Sequence, residues 1–117
     1  MSPLRLAHRI DRGLIGLFAL SSGLYKLSFG EADVEIFAHL HMSAVGTAGF
    51  GLLQLLCGLG LVRSETRAPA AVGLMACNLW ATSALFAADI QPFGWVSFVM
   101  VAMAAAQILP EPTATKA

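Results

Sequence analysis

From residue 13 onward, apolar residues come in long runs, and polar residues gather in short joints between them. Four runs can be delimited, at residues 13–29, 44–62, 69–88 and 92–109. None shows the strict alternation of a membrane strand, and each is long enough to cross about 30 Å of hydrocarbon as a helix. Backbone polar groups must be satisfied internally in lipid, so the pattern predicts helices. Pro69 and Pro92 suit first-turn positions, and Asp89 is placed to cap the fourth helix. The joint at residues 89–91 is short enough to force the third and fourth helices into an antiparallel hairpin. The expected organisation is a basic N-terminal segment at 1–12, a transmembrane domain at 13–109 and a tail at 110–117.

The longer joint, residues 30–43, carries Glu31, Asp33, Glu35, His39 and His41. Val34, Phe37 and Leu40 recur at near-helical spacing, which predicts a short amphipathic helix at the outer interface. Ser28 and Glu31 have the spacing of a capping box that opens it. His39 and His41 would point about 200° apart on a helix, so they do not chelate one ion together. All three histidines lie outside the apolar runs, which also makes them poor ligands for a membrane haem. No metal site is expected.

Composition supports a membrane reading. The chain is 57% hydrophobic and only 12% charged, too little charge to cover the surface of a soluble domain of this length. Net charge is zero, which removes the electrostatic support for a nucleic-acid partner. Cys57 and Cys77 both sit inside apolar runs and form neither a disulfide framework nor a metal-ligand spacing. Arg5, Arg9, Arg12, Arg63, Arg67 and Lys116 all fall on one side of a four-helix arrangement, and Lys26 alone falls on the other. The positive-inside rule then puts both termini in the cytoplasm. A cleaved signal peptide ending near Ala19-Leu20-Ser21 is the rival reading, but the apolar run continues to Phe29 and cleavage would leave an odd number of spans. The fold expected is an all-α, polytopic membrane four-helix bundle with both termini cytoplasmic.

Polar residues inside the runs carry the functional signal, because intramembrane polar groups face the bundle interior. Ser22, Tyr25 and Lys26 form one stripe of the first helix. Thr47, Gly51, Gln54 and Gly58 form a stripe of the second, and Met75, Asn78 and Thr82 of the third. At a rise of about 1.5 Å per residue, Lys26 and Thr47 lie roughly 5 Å from the outer ends, Ser22 and Thr82 roughly 10 Å, and Gln54 and Asn78 roughly 15 Å. Ser97 joins them at about 8 Å. The inner half offers only Cys57, Cys77 and, at its end, Gln107. These positions describe a polar, ligand-binding pocket in the outer half, with Lys26 at its mouth. The alternative is that Lys26 snorkels to the headgroups, Tyr25 and Trp95 are interface aromatics, and the amides are interhelical glue.

The run "FALSSGLYKL", the acidic segment with "EIFAHL", and "GFGLLQLLCGLGLV" followed by Arg63 and Arg67 resemble the DoxX-like family of small four-helix bacterial membrane proteins. The resemblance covers roughly residues 12–107. Its most specific piece is Ser22, Gly23, Lys26 and Leu27 at the end of the first helix. The family pattern commonly has a glutamate where this chain has Gln54. Glutamine does not ionise, which speaks against a proton relay there and leaves Lys26 without a counter-ion inside the spans. Its nearest acids are Glu31, Asp33 and Glu35.

The resemblance implies a place in a bacterial inner membrane, as a membrane module of a thiol- or quinone-linked redox system. A quinone suits such a pocket, with Lys26, Tyr25 and Asn78 as donors to its carbonyls. The chain has no haem pair, flavin fingerprint or CxxC, so a bound quinone or a membrane or soluble partner protein must carry the electrons. No covalent cofactor is implied, the lipid bilayer is itself a partner, and a homo-oligomer is left open. Two other functions compete. One is a structural subunit of a larger complex, built on the small residues of the last two helices. The other is a small transporter, disfavoured because no acid lies within a span.

Overall fold

The computed structural model describes residues 2–110 and is all-helical over them. Five helices follow in order: α1 (Pro3–Leu27), α2 (Glu31–Ala38), α3 (Ala44–Gly60), α4 (Ser64–Ala87) and α5 (Gln91–Ile108). The last part of the tail, with Lys116, lies outside the described residues.

Helix α1 starts ten residues before its apolar run, because the sequence supplies a start signal there. Ser2 caps it, accepting a hydrogen bond from Arg5 N at 3.2 Å, and Pro3 opens the first turn. The basic segment is therefore the first part of the helix. Helix α4 likewise begins at Ser64, so Pro69 is interior rather than in the first turn. There its ring removes one i→i−4 bond, to the Glu65 carbonyl. Pro92 does lie in the first turn of α5.

Three joints end their helices with a non-glycine residue in the left-handed region: Phe29 (φ 56°), His41 (φ 62°) and Asp89 (φ 60°). Around Phe29, Gly30 N donates to Tyr25 O at 2.9 Å and Phe29 N to Lys26 O at 3.0 Å, a Schellman closure. Around Asp89, Ile90 N donates to Leu85 O at 2.8 Å and Asp89 N to Phe86 O at 3.0 Å, the same closure. Asp89 thus ends α4 and does not cap α5, whose N-cap is Ile90 without a side-chain bond. The expected capping box at Ser28 and Glu31 is also absent. Ser28 Oγ turns back to Leu24 O, and Gly30 is the N-cap of α2. The Tyr25 hydroxyl accepts from Ala32 N at 3.1 Å in its place. At the opposite end, Arg67 Nε and Nη2 cap the end of α3 by donating to Leu61 O at 2.9 Å and Val62 O at 3.3 Å.

The four long helices adjoin in a ring, α1 on α3, α3 on α4, α4 on α5 and α5 on α1, with α2 lying against α1 and α3. Small residues set the spacing. A Cβ on Gly23 would stand 2.6 Å from Gly51 O and 2.9 Å from Leu55 N, so α1 and α3 touch backbone to backbone where Lys26 leaves the helix. The apolar core, Ile15, Ala19, Leu61, Ala70, Ala71, Leu74 and Ala104, lies toward the other end of the bundle. The distribution of side chains is inverted relative to a water-soluble protein. Lys26, Thr47, Gln54, Asn78, Thr82, Ser97 and Gln107 are buried, while Leu14, Leu17, Leu52, Leu56, Leu79 and Val99 are among many large apolar residues left exposed. Helices α4 and α5 are each long and apolar enough to cross a membrane. Helix α3 is apolar but shorter, at 17 residues, and α1 meets the same measure only together with α2, across an 84° bend.

Candidate functional site

The bend between α1 and α2 creates the site. Lys26 is in the last turn of α1, one turn above Ser22, and α2 folds back across its end. Its first turn delivers Asp33 to the ammonium, with Nζ 2.9 Å from Asp33 Oδ2. Lys26 Nζ also donates to Ser22 Oγ at 2.6 Å, and Ser22 Oγ donates to Gln54 Oε1 of α3 at 3.2 Å. A continuous polar chain, Asp33–Lys26–Ser22–Gln54, therefore descends from α2 into the bundle.

Lys26 is only 5% exposed, so it does not reach out past the helix end as a snorkelling lysine does. Its charge is held by the carboxylate and by two ring faces, with Nζ 5.3 Å from the centroid of Phe37 and 5.9 Å from that of Phe50. Phe37 packs edge-on against Phe50 at 5.5 Å, and Trp80 of α4 packs on both, at 6.2 and 5.5 Å. These rings join α2, α3 and α4.

Beneath Lys26 lies a cavity of about 270 Å³. Ser22, Lys26, Asp33, Gln54, Asn78 and Ser97 supply its polar lining. Phe18, Ile36, Phe37, Phe50, Ala81, Leu85, Phe93 and Val96 supply its apolar walls. Phe93 and Val96 of α5 line it and are half exposed. With one ammonium and one carboxylate in contact, the lining is close to neutral. It offers hydrogen bonds in a largely apolar enclosure, the usual composition of a small-molecule site.

Of the residues singled out from sequence, Ser22, Lys26, Gln54 and Asn78 are brought together on this cavity, joined by Ser97. Tyr25, Thr47 and Thr82 are not among its lining residues. Tyr25 is 44% exposed and clasps the start of α2. Thr47 Oγ1 donates to Ser43 O at 3.0 Å, and Thr82 Oγ1 to Asn78 O at 2.7 Å, so both hydroxyls serve their own helices. Asn78 Nδ2 likewise donates to Leu74 O at 2.8 Å. The counter-ion missing from the spans comes from outside them. Asp33 precedes Phe37 by one helical turn, so the apolar stripe of the joint carried the signal that Asp33 faces inward. Nothing in local spacing marks Phe50 as a neighbour of Lys26 or Phe93 as part of the cavity lining.

His39 and His41 are exposed, and a ring nitrogen of His39 bonds Glu35 O at 2.9 Å. Among the described residues no group of three or more metal-ligating side chains comes together. Gln107 is part of a second polar knot at the other end of the bundle. Its Nε2 donates to Asp11 Oδ2 at 2.7 Å and His8 O at 3.0 Å, and its Oε1 accepts from Arg12 Nε at 3.0 Å. This knot ties α5 to the basic start of α1. Comparison with protein-family models, with curated proteins and with solved structures finds no significant match for this chain.

Proposed function

We propose that this chain is a DoxX-like integral protein of a bacterial inner membrane, with four spans and both termini in the cytoplasm. Its outer cavity binds a neutral, carbonyl-bearing redox molecule of the quinone class, and the protein serves as the membrane module of a thiol- or quinone-linked redox system. The observation that carries this reading is the burial of Lys26, paired with Asp33, over an aromatic-walled cavity. An ionisable residue held with its partner inside a membrane bundle marks a functional-site candidate. The pairing matters for ligand charge. Because Asp33 already neutralises Lys26, the site favours a neutral acceptor over an anion. Lys26 donates to one carbonyl, Asn78 or Ser97 orients the ring, and the Phe93 and Val96 side lets an isoprenoid tail leave toward lipid. The bilayer placement is supported by the exposed apolar surface and by the arginines at one end.

The test is purification of the tagged protein in mild detergent, followed by mass spectrometry of extractable quinones and of co-purifying chains. A bound quinone, or a stoichiometric thiol or peroxide enzyme, is the expected result. A protein that carries neither, from membranes rich in quinone, contradicts the proposal. Recovery within a large assembly of unrelated function would make the chain a structural subunit.

A further inference from the structure

The polar groups on the cavity wall do not all satisfy one another. Gln54 uses Oε1 to accept from Ser22 Oγ at 3.2 Å, and its Nε2 has no partner among the described residues. Asn78 turns Nδ2 back to Leu74 O at 2.8 Å, and its Oδ1 has no partner among them either. The same holds for Ser97 Oγ. Gln54, Asn78 and Ser97 are only 3%, 2% and 9% exposed, and all three line the cavity. A polar atom sealed away from water without a partner carries the full penalty of a lost hydrogen bond. Among the described residues, His8 Nε2, at the other end of the bundle, is the one side-chain atom in that position. The free atoms of Gln54, Asn78 and Ser97 are therefore open to the cavity and available to what enters it.

Their chemistry has a direction. Gln54 Nε2 only donates, as does the Lys26 ammonium, whereas Asn78 Oδ1 only accepts, as does the Asp33 carboxylate. Whatever the remaining N–H of Asn78 meets, its Oδ1 needs a donor. A quinone carbonyl only accepts, so a quinone leaves Asn78 Oδ1 unmet. A phenolic hydroxyl of the reduced ring both donates and accepts.

We infer that the cavity selects the reduced, hydroquinone form of its ligand, with a hydroxyl donating to Asn78 Oδ1 and a hydroxyl oxygen accepting from Gln54 Nε2. Asn78 is then a specificity residue that accepts, not the carbonyl donor expected from sequence. The inference rests on the quinone-class reading of the cavity and adds the redox state that the site prefers. A site built to hydrogen-bond a hydroxyl rejects the analogue that lacks it, because its own polar group is left unpaired. One such bond corresponds to roughly tenfold in affinity. In a two-electron couple, that preference raises the midpoint potential of the bound ligand by about 30 mV.

The test is calorimetric titration of the purified full-length protein, in detergent and without oxygen, with a short-chain benzoquinol and with the matching benzoquinone. The quinol is expected to bind about tenfold more tightly. Asn78→Leu removes the acceptor at similar volume and is expected to bring the two affinities together. A merely structural role for Asn78 would weaken both forms alike. The O-methylated quinol keeps the ring but has no O–H, and is expected to bind no more tightly than the quinone. Quinone binding as tight as quinol binding overturns the inference and leaves the quinone-class reading standing. So does a quinol preference that survives Asn78→Leu, or an O-methylated ligand that matches the quinol. Binding of neither redox form contradicts the quinone-class reading itself, and this inference with it. If Asn78→Leu does not purify, the O-methylated ligand decides.

Discussion

Replacing Asp33 by asparagine keeps the shape of α2 and removes only the charge facing Lys26. The ion pair is 2.9 Å long, and the two side chains are 6% and 22% exposed. Removing one partner of such a pair leaves a buried charge uncompensated, at about 3–5 kcal/mol. Lys26 keeps Ser22 and the faces of Phe37 and Phe50, worth about 0.5–1 kcal/mol for each ring at a partly wet site. The loss expected for Asp33→Asn is therefore at the lower end, about 3 kcal/mol. Lys26→Met removes the charge that needed compensation, so adding it to Asp33→Asn restores much of the loss. The assay is reversible unfolding in detergent, followed by circular dichroism, for the two single variants and the double. A coupling of about 1.5–3 kcal/mol is expected. Additivity within about 0.5 kcal/mol, or a loss from Asp33→Asn below about 0.5 kcal/mol, would refute the argument that the pair is buried and coupled.

Other variants probe separate parts of the structure. Gly51→Ala forces α1 and α3 apart, since its Cβ would lie 2.7 Å from Gly23 O, and should destabilise by about 1–3 kcal/mol in the same assay. Gly49→Ala, where a Cβ meets nothing within 4 Å, should stabilise by up to about 1 kcal/mol, and equal effects from the two would contradict the close approach. Phe29 stands at φ 56°, so Phe29→Val should lower stability by about 1 kcal/mol while Phe29→Gly leaves it unchanged or raises it. In a background without Cys57 and Cys77, single cysteines introduced by Glu35→Cys and Glu65→Cys should label from opposite sides of intact membranes. Labelling from one side contradicts the four-span orientation.

The helical class was legible because apolar runs of this length leave a membrane chain few other choices. The stripe Ser22, Lys26, Gln54 and Asn78 was legible for a related reason: at helical periodicity, polar residues in apolar runs mark an inward face. Three features were not legible, each for its own reason. Helix α1 reaches back to Pro3 because helix start signals are local and do not follow the edge of an apolar run. The α1–α2 and α4–α5 joints close through Phe29 and Asp89 in the left-handed region, where glycine is the usual signal, so Ser28 and Asp89 looked like N-caps instead. The membership of Asp33 and Phe50 depends on which helices adjoin and on the 84° bend, neither of which is encoded in local spacing. Tyr25 and Thr82 share stripes with cavity residues yet do not line the cavity, because a stripe is wider than the side chains that reach its centre.

The most direct test of the central claim uses Trp80, which packs on Phe37 and Phe50 in the cavity wall. With Trp95→Phe leaving Trp80 as the only tryptophan, the purified protein is titrated with a short-chain benzoquinone while tryptophan fluorescence is followed. Saturable quenching is expected, with the saturable part lost in Lys26→Ala while the protein still purifies as a folded helical species. Quenching that is linear in quinone, or a saturable curve unchanged by Lys26→Ala, would contradict a quinone site at Lys26.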